Sequence, residues 1–351
     1  MRWHRRPWLL CVLSVSLGVL AACGESDPTT EPPPPSDPVD DVVEAPEGHT
    51  TEREAPSPAE LVRSTGTITM AGAALEPGSA IESDQTIDVP EEGRAVIQLR
   101  DGGRVELDGP ARGVVLDQGG AQLLLIRGRL YAVQPPMGNA PRPPLRIVSA
   151  AATVEIGAAG EIYLASFESG ASWLTVLGGA AAVENGEADV RRRLRSLDLS
   201  AGQAVAIPNR IAEPTEGPRT LSAAREAASM LMSGAPPNDA PDPRRDLDHE
   251  ATRLDQALSW LETEARRGRE LTTQHRAAVQ DGDEEETGRL QRELVDHSRA
   301  LYRMRRLAGA RWERLQVRQL RVDGAVRTTA DELLSTRQDR VNGLLGLTGA
   351  P

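Results

Sequence analysis

Short apolar runs separated by glycines fill the chain from residue 59 to residue 210. Glycine adopts the positive φ that hairpin turns require, and tight turns fit at Asp101-Gly102, Gly119-Gly120 and Gly178-Gly179. We therefore expect an all-β domain over residues 59–210. The predicted strands lie within residues 93–103, 104–108, 113–116, 122–126, 129–133, 145–148, 153–156, 161–166, 172–177, 180–184, 197–199 and 204–207.

A different pattern runs from residue 219 to the end of the chain. A short helix is predicted over residues 219–234 and a Pro-rich hinge over residues 235–243. Beyond the hinge, apolar residues recur at spacings of three and four in two stripes, which is typical of helices that pack side by side. The first stripe is Leu247, Ala251, Leu254, Leu258, Leu261 and Ala265, and the second is Leu290, Leu294, His297, Leu301, Met304, Ala308, Trp312, Leu315, Gln319 and Val322.

The two stripes are separated by a helix break at Asp281-Gly282. Asp283 and Glu286 then form a capping box, which marks the start of the next helix. This order predicts a coiled-coil-like antiparallel hairpin over residues 244–323, followed by a weak helix from Thr329 and a tail within residues 324–351. The expected fold class is a multidomain protein with an all-β domain followed by an α-helical hairpin.

The first 22 residues have the organisation of a signal peptide. Arginines precede an apolar run over residues 9–20, which is shorter than the roughly 20 residues that span a bilayer. The run ends in a sequence that resembles the bacterial lipobox, in which the cysteine is lipidated and begins the mature chain: Leu20, Ala21, Ala22, Cys23. We expect Cys23 to anchor the protein to a membrane. The alternative is a plain secretory signal that leaves Cys23 as an ordinary thiol.

Residues 23–58 are rich in proline and in acidic side chains. Such a segment cannot bury enough apolar surface to offset the entropy of ordering it, so it is predicted to be a disordered tether. Gly24, rather than an aspartate, follows the cysteine, and the lipoprotein resemblance then implies the outer membrane, facing the periplasm.

Composition excludes several classes of function. The formal net charge is −12, whereas a nucleic-acid binder needs a basic face, so no nucleic acid is expected as a partner. The sequence contains no lysine, which excludes Schiff-base and P-loop chemistry. The histidines of the predicted folded regions, His249, His275 and His297, lack the spacing of metal ligands. We therefore expect no enzymatic activity, no cofactor and no metal site.

The glycine and strand motifs of residues 60–208 resemble a FecR-type domain. The motifs are GTITM at 66–70, LEPG at 75–78, GRAVIQLRDG at 93–102, LLLIRGRL at 123–130, the run over 147–157 and LSAGQAV at 199–205. In that family a periplasmic domain senses an outer-membrane iron-siderophore receptor, behind a membrane helix and a cytoplasmic segment that restrains a sigma factor. This chain is expected to lack the helix and that segment. It also has Gly157-Ala158-Ala159 where the family usually has Gly-Thr and an aromatic residue.

Two groups of residues are candidate contact sites. One is a basic loop that could bind an anionic envelope polymer or a partner's acidic face: Arg191, Arg192, Arg193 and Arg195. The alternative is a solvated loop balanced by nearby acids. The other is Trp260, beside the seam of the hairpin, where it could support self-association or bind another envelope protein.

The sequence therefore indicates a lipid-anchored cell-envelope protein whose FecR-like domain acts as a non-enzymatic binding or scaffolding module. The alternative is a signal-transducing regulator that senses an envelope receptor through that domain. A third reading, a hydrolase of wall polymers, is disfavoured because the predicted β domain contains no histidine and few aromatic residues.

Overall fold

The computed structural model describes residues 57–117, 121–136, 143–188, 194–207, 212–233 and 242–346. The strands in these residues are β1 (Ala59–Thr65), β2 (Thr69–Met70), β3 (Ala73–Ala74), β4 (Ala80–Ile81), β5 (Thr86–Val89), β6 (Arg94–Leu99), β7 (Arg104–Asp117), β8 (Ala121–Val133), β9 (Leu145–Ser149), β10 (Thr153–Ile156), β11 (Glu161–Ser166), β12 (Ser172–Gly178), β13 (Ala180–Ala188), β14 (Leu194–Ser200), β15 (Gln203–Ile207) and β16 (Thr215–Glu216). The helices are α1 (Leu221–Ser233), α2 (Pro243–Asp281), α3 (Glu284–Leu320) and α4 (Gly324–Leu345). The predicted order of a β region followed by a helical region is confirmed.

The strands form one continuous sheet that folds over on itself along the β7–β8 hairpin. The first half of β7 pairs with β6, and the second half of β8 pairs with β11; we call this side the first sheet. The second half of β7 pairs with β5, and the first half of β8 pairs with β9; this side is the second sheet. Because side chains alternate across each strand, the inward residues of both sheets meet in one apolar core, which includes Leu107, Leu125, Ile147, Leu164 and Leu174.

The hairpin strands are longer than the sequence pattern predicts. Residues 104–108 and 113–116 belong to the single strand β7, and residues 122–126 and 129–133 to the single strand β8, so their division into four strands was wrong. The glycines between these runs bend the strands without ending them. Gly128 has φ +101°, and a Cβ there would collide with Ala111 on the neighbouring strand. The ladder shifts register between Asp108 and Gly113 at the same level.

The sheet is mixed rather than purely antiparallel. Strand β9 runs parallel to β8 and pairs with its first half, from Gln122↔Arg146 to Leu125↔Ser149. A parallel pair needs a connection that crosses from one end of the strands to the other. The Pro-rich segment over residues 134–144 makes this connection, and residues 137–142 of it lie outside the described part of the chain.

The helical hairpin follows its predicted pattern closely. Helix α2 ends at Gly282, which adopts φ 70°, and the carboxylate of Asp283 accepts a hydrogen bond from the backbone N–H of Glu286 at 3.0 Å, as the capping box predicts. The first five residues of the first stripe and most of the second are buried between α2, α3 and α4. The last helix begins at Gly324, so its predicted start at Thr329 was wrong.

Helices cover the outer faces of both sheets. Ala224 and Ala228 of α1 pack on Tyr163 and Trp173 of the first sheet. Helix α3 lies on the second sheet, where Val317 packs with residues of β7, β8 and β9: Val114, Leu116, Leu124, Ile126 and Val148. The chain from Ala55 to Pro351 is thus one compact unit, in which the sandwich buries part of the helical surface that the hairpin alone leaves over.

Candidate functional site at the helix–sheet junction

An ionic layer joins α3 to the second sheet. The guanidinium of Arg146 on β9 binds the carboxylate of Glu313 on α3 with both terminal nitrogens, Nη2 donating to Oε2 at 2.6 Å. Burial alone would lower the pKa of Arg146, but the charge of Glu313 outweighs burial and raises it. Such a bidentate pair fixes both the position and the rotation of the helix on the sheet.

A second contact lies one strand further along the same face. Nη2 of Arg306 donates to Glu184 on β13 at 2.7 Å and to Glu155 on β10 at 3.1 Å. Burial raises the pKa of Glu184, although Arg306 opposes the shift. This arginine therefore ties α3 to two neighbouring strands at once.

A fully buried carboxylate lies between the helices above this layer. Glu250 of α2 is 3.0 Å from Arg311, 3.6 Å from Arg314 and 3.9 Å from Arg318, all on α3. Burial would raise the pKa of Glu250, but these three guanidinium groups outweigh it and lower the pKa to about 2.

Arg314 connects the buried carboxylate to the sheet. It also donates a hydrogen bond to the backbone carbonyl of Asn185 on β13. Burial lowers the pKa of Arg314 to about 10. The buried charge cluster thus spans α2, α3 and the second sheet, and α3 supplies the arginines that contact the other two elements.

The first sheet carries a smaller ionic cluster under α1. Arg225 donates to Asp108 at 2.8 Å and to Glu106 at 2.5 Å, both on β7. The hydroxyl of Tyr163 donates to Asp108 at 3.2 Å, and burial raises the pKa of this tyrosine. Both outer faces of the sandwich are therefore bonded to helices through arginine.

A polar pocket of about 240 Å³ opens where α3 ends against the bend of the β7–β8 hairpin. It is lined by Arg112, Ile126, Arg127, Glu168, Leu320, Arg321 and Asp323. Arg321 donates to the carbonyls of Phe167 at 2.7 Å and Glu168 at 2.8 Å, and to that of Ile126. Burial lowers the pKa of Arg321 to about 10, and the charge of Arg318 lowers it further.

The described contacts of this junction include none of the residues predicted from sequence. Cys23 and its cleavage sequence, Leu20, Ala21 and Ala22, lie outside the described residues, as do Arg191, Arg192 and Arg193. Arg195 is on β14, which pairs with β13 in the second sheet. Trp260 is half-buried against the apolar cluster of the helices.

The three histidines of the described residues are not arranged as metal ligands. His297 is buried in the hairpin, where its Nδ1 is 3.1 Å from a carboxylate oxygen of Glu264. No group of three or more His, Cys, Asp or Glu side chains in the described ranges could hold a metal ion. No helix in the part of the chain that the structure describes is long and apolar enough to cross a membrane.

Sequence reasoning missed the arginines at the end of α3 that bind α2 and the sandwich. Arg311, Arg314, Arg318 and Arg321 recur at spacings of three and four, which places them on one helix face. This spacing is the signal that could have found them, but a solvated basic face has the same pattern. The buried Glu250 on the partner helix decides between the two, and only the fold shows that it is buried.

The sequence matches no protein-family model, and no curated protein matches it.

Proposed function

We propose that this chain is a lipid-anchored cell-envelope protein that acts as a non-enzymatic binding or scaffolding module. The observation that carries the proposal is the apolar run that ends in Leu20, Ala21, Ala22 and Cys23, because a cysteine directly after small residues at this point is what lipid attachment requires. Lipidation through more than one acyl chain gives stable anchoring. The acidic tether then holds the folded unit away from the headgroups.

We assign residues 60–208 to a FecR-like domain on the strength of the motifs quoted above. Three features of the fold are compatible with this assignment: GRAVIQLRDG forms β6 and its turn, LLLIRGRL contains the bend of β8, and LSAGQAV contains the turn into β15. These motifs are glycine and strand patterns, so they support a fold and a binding role rather than a reaction.

Lipid anchoring can be tested with the two cysteines of the chain. Cys23→Ser should release the protein from the membrane fraction and abolish the mass of the attached lipid. Cys11→Ser, within the predicted leader, is the matched control. It should change neither the membrane association of the protein nor the mass of the attached lipid. A mature wild-type chain with an unmodified Cys23 in mass spectrometry would contradict the proposal, and complete fractionation with the inner membrane would contradict the outer-membrane location.

The binding role is tested by crosslinking in the native envelope. We expect the folded unit to capture either an envelope protein or an anionic polymer, and Arg195→Gln together with changes at Arg191, Arg192 and Arg193 to reduce capture of the polymer. Trp260→Ala addresses self-association and should lower the sedimentation coefficient at high concentration if the hairpin forms a dimer. Capture that is unaltered in all of these variants would remove these residues from the binding surface.

A second candidate is a regulator that transmits a signal from the FecR-like domain to its helices. The observation in its favour is the ionic layer, because polar contacts between parts of a chain resemble those of interfaces that form and separate. A receptor that binds the sandwich should then change hydrogen exchange in α3. Unchanged hydrogen exchange in α3 upon receptor binding would contradict the regulator hypothesis, and scaffolding would then be the only one of the two roles that is retained.

A further inference from the structure

The face of α3 that binds the second sheet continues past the edge of that sheet. Arg306, Glu313 and Val317 contact the sheet, and their spacing of seven and four residues places them on one side of the helix. Spacings of three and four continue the same side from Arg306 towards the start of α3. We call the residues of this continuation the overhanging row: Arg292, Val295, Arg299 and Tyr302. Two of them are exposed apolar side chains, since Val295 is 48% and Tyr302 64% accessible to solvent.

The strands of the second sheet lie across α3 in the order β8, β9, β10, β13 and β14. Arg306 reaches Glu155 on β10 and Glu184 on β13, so β14 lies nearer to the start of the helix. Neighbouring strands are about 4.8 Å apart and a helix rises about 1.5 Å per residue, so each further strand takes up at least about three residues of α3. A strand added beyond β14 would therefore lie under the stretch from Val295 to Tyr302.

Strand β14 is the edge of the sheet on this side. Within the described residues it pairs only with β13, so backbone N–H and C=O groups on its other side can pair with a further strand. Leu197 and Leu199 pack on the core between the sheets. Ser196 is exposed on the opposite face, the one towards α3, because it pairs in the ladder with Glu184. The edge of β14 and the overhanging row thus form two sides of an open corner.

The sheet itself shows which side chains fit under this face of α3. On β10 and β13 they are glutamates, and both bind Arg306. The overhanging row repeats the arginine, but without such partners. Among the described residues, Arg292 has no carboxylate within 4.0 Å, and Arg299 pairs only with the exposed Asp296, at 3.3 Å. A strand with acidic side chains towards α3 is therefore the complement of this corner in charge as well as in shape.

We propose that the edge of β14 and the overhanging row together bind an extended segment of a partner protein in which acidic and apolar side chains alternate. The segment adds one strand to the second sheet. Its acidic side chains face Arg292 and Arg299, and its apolar side chains continue the inner face of Leu197 and Leu199. Main-chain hydrogen bonds supply the affinity of such strand addition, and alternate side chains supply its specificity. The inference deepens the binding role proposed above and rests on it.

Fluorescence anisotropy tests the class of ligand, with the full chain in a maltoside detergent and a labelled octapeptide of alternating valine and glutamate. This peptide should bind at least about tenfold more tightly than its valine–lysine analogue, and than the same peptide with every backbone nitrogen methylated, which lacks the N–H donors of a strand. Binding should also raise hydrogen-exchange protection in β14. Equal binding of the methylated peptide would show that the arginines attract any anionic chain, including a polysaccharide, and would overturn the proposal. No binding at millimolar concentration would also overturn it.

Substitutions test the overhanging row. Tyr302→Ala should weaken the valine–glutamate peptide about tenfold, since aromatic side chains carry much of the affinity of an interface. Arg299→Gln should weaken it about threefold, since an exposed ion pair contributes little. Val279→Ala and Arg276→Gln remove exposed side chains of α2 and are the matched controls, which should keep the affinity of the wild type. Site variants that bind as tightly as the controls would overturn the proposal. If the Tyr302→Ala protein still captures its partner in the native envelope, the binding role stands and this corner is not its site.

Discussion

The space between the two sheets and the contact between the second sheet and α3 are both buried, but they are built from different side chains. Between the sheets, leucine, isoleucine and valine pack with no exposed surface, as at Leu107, Leu125 and Leu164. Against α3, a small apolar patch around Val317 is bordered by the pairs of Arg146 and Arg306 with carboxylates.

Apolar burial and ionic burial contribute differently to the fold. Apolar packing stabilises in proportion to the area removed from water and has no preferred orientation. A buried ion pair contributes little net stability because its desolvation offsets its attraction, yet it is costly to break from one side. The core therefore supplies most of the stability of the fold, and the ionic layer determines where the helices lie on the sheet.

The largest effect is expected from removing the buried carboxylate that lies between α2 and α3 above the ionic layer. Glu250→Ala leaves three guanidinium groups at the helix–sheet junction without their shared partner, so the free energy of unfolding should fall by about 3–5 kcal/mol. Asp248→Ala, an exposed neighbour on the same helix, is the control. Urea unfolding curves that overlay for the two variants would show that the cluster is hydrated.

The same carboxylate predicts a dependence on pH. Its pKa is about 2 in the fold, below the usual 4.5, so its contribution to stability is complete above pH 4.5 and is lost as the pH falls towards 2. The melting temperature of Glu250→Ala should therefore depend less on pH than that of the wild type in this window. Parallel curves for the two proteins would assign acid sensitivity to other groups.

A cavity in the core should destabilise the whole unit. Leu125→Ala removes a fully buried side chain and should cost about 2–5 kcal/mol, with lower hydrogen-exchange protection in both sheets and the helices. Val317→Ala, in the apolar patch under α3, should cost about 1–2 kcal/mol and lower protection mainly in α3. If both variants lower hydrogen-exchange protection in the sheets equally, the core between the sheets and the contact of α3 with the second sheet unfold together.

At position 268 of the hairpin, glycine should give a more stable protein than alanine. A Cβ on Gly268 would collide with the imidazole of His297, so Gly268→Ala should destabilise by about 1 kcal/mol despite the better helix propensity of alanine. Gly343→Ala on α4 meets no atom within 4 Å and should stabilise by about 0.5–1 kcal/mol. If α2 and α3 approach each other this closely, thermal unfolding should show a lower melting temperature for Gly268→Ala and a higher one for Gly343→Ala.

The smallest effect is expected for an exposed ion pair. Arg299 and Asp296 on α3 are 3.3 Å apart, and both side chains are mostly in solvent. Arg299→Ala should change the free energy of unfolding by less than about 0.5 kcal/mol, since solvent and salt screen such pairs. A loss as large as that of Glu250→Ala would remove the distinction between exposed and buried pairs.

Much of this architecture is predictable from local pattern. Residues 153–156 and 161–166 form β10 and β11 with the predicted bounds, and the heptad stripes mark the buried faces of α2 and α3. These elements are local: alternation, heptads and caps act within a few residues. The bent strands β7 and β8 were divided because a glycine that bends a strand and a glycine that ends it look alike in sequence.

The helix–sheet junction could not be predicted in the same way. Arg146 and Glu313 are far apart in the chain: Arg146 is the charged residue of the short strand β9, and Glu313 is one of many charged residues on α3. Local pattern places such residues in solvent. Their pairing depends on the docking of α3 onto the second sheet, which follows from the tertiary fold rather than from any short segment.

The docking of the helices onto the sandwich through this ionic layer is the central structural claim, and a double-mutant cycle across Arg146 and Glu313 tests it most directly. Unfolding free energies of Arg146→Ala, Glu313→Ala and the double variant give the coupling between β9 and α3. We predict a coupling of about 1–3 kcal/mol, because the pair is bidentate and mostly shielded from water. Effects of the two single changes that simply add would contradict the docking of α3 on the second sheet.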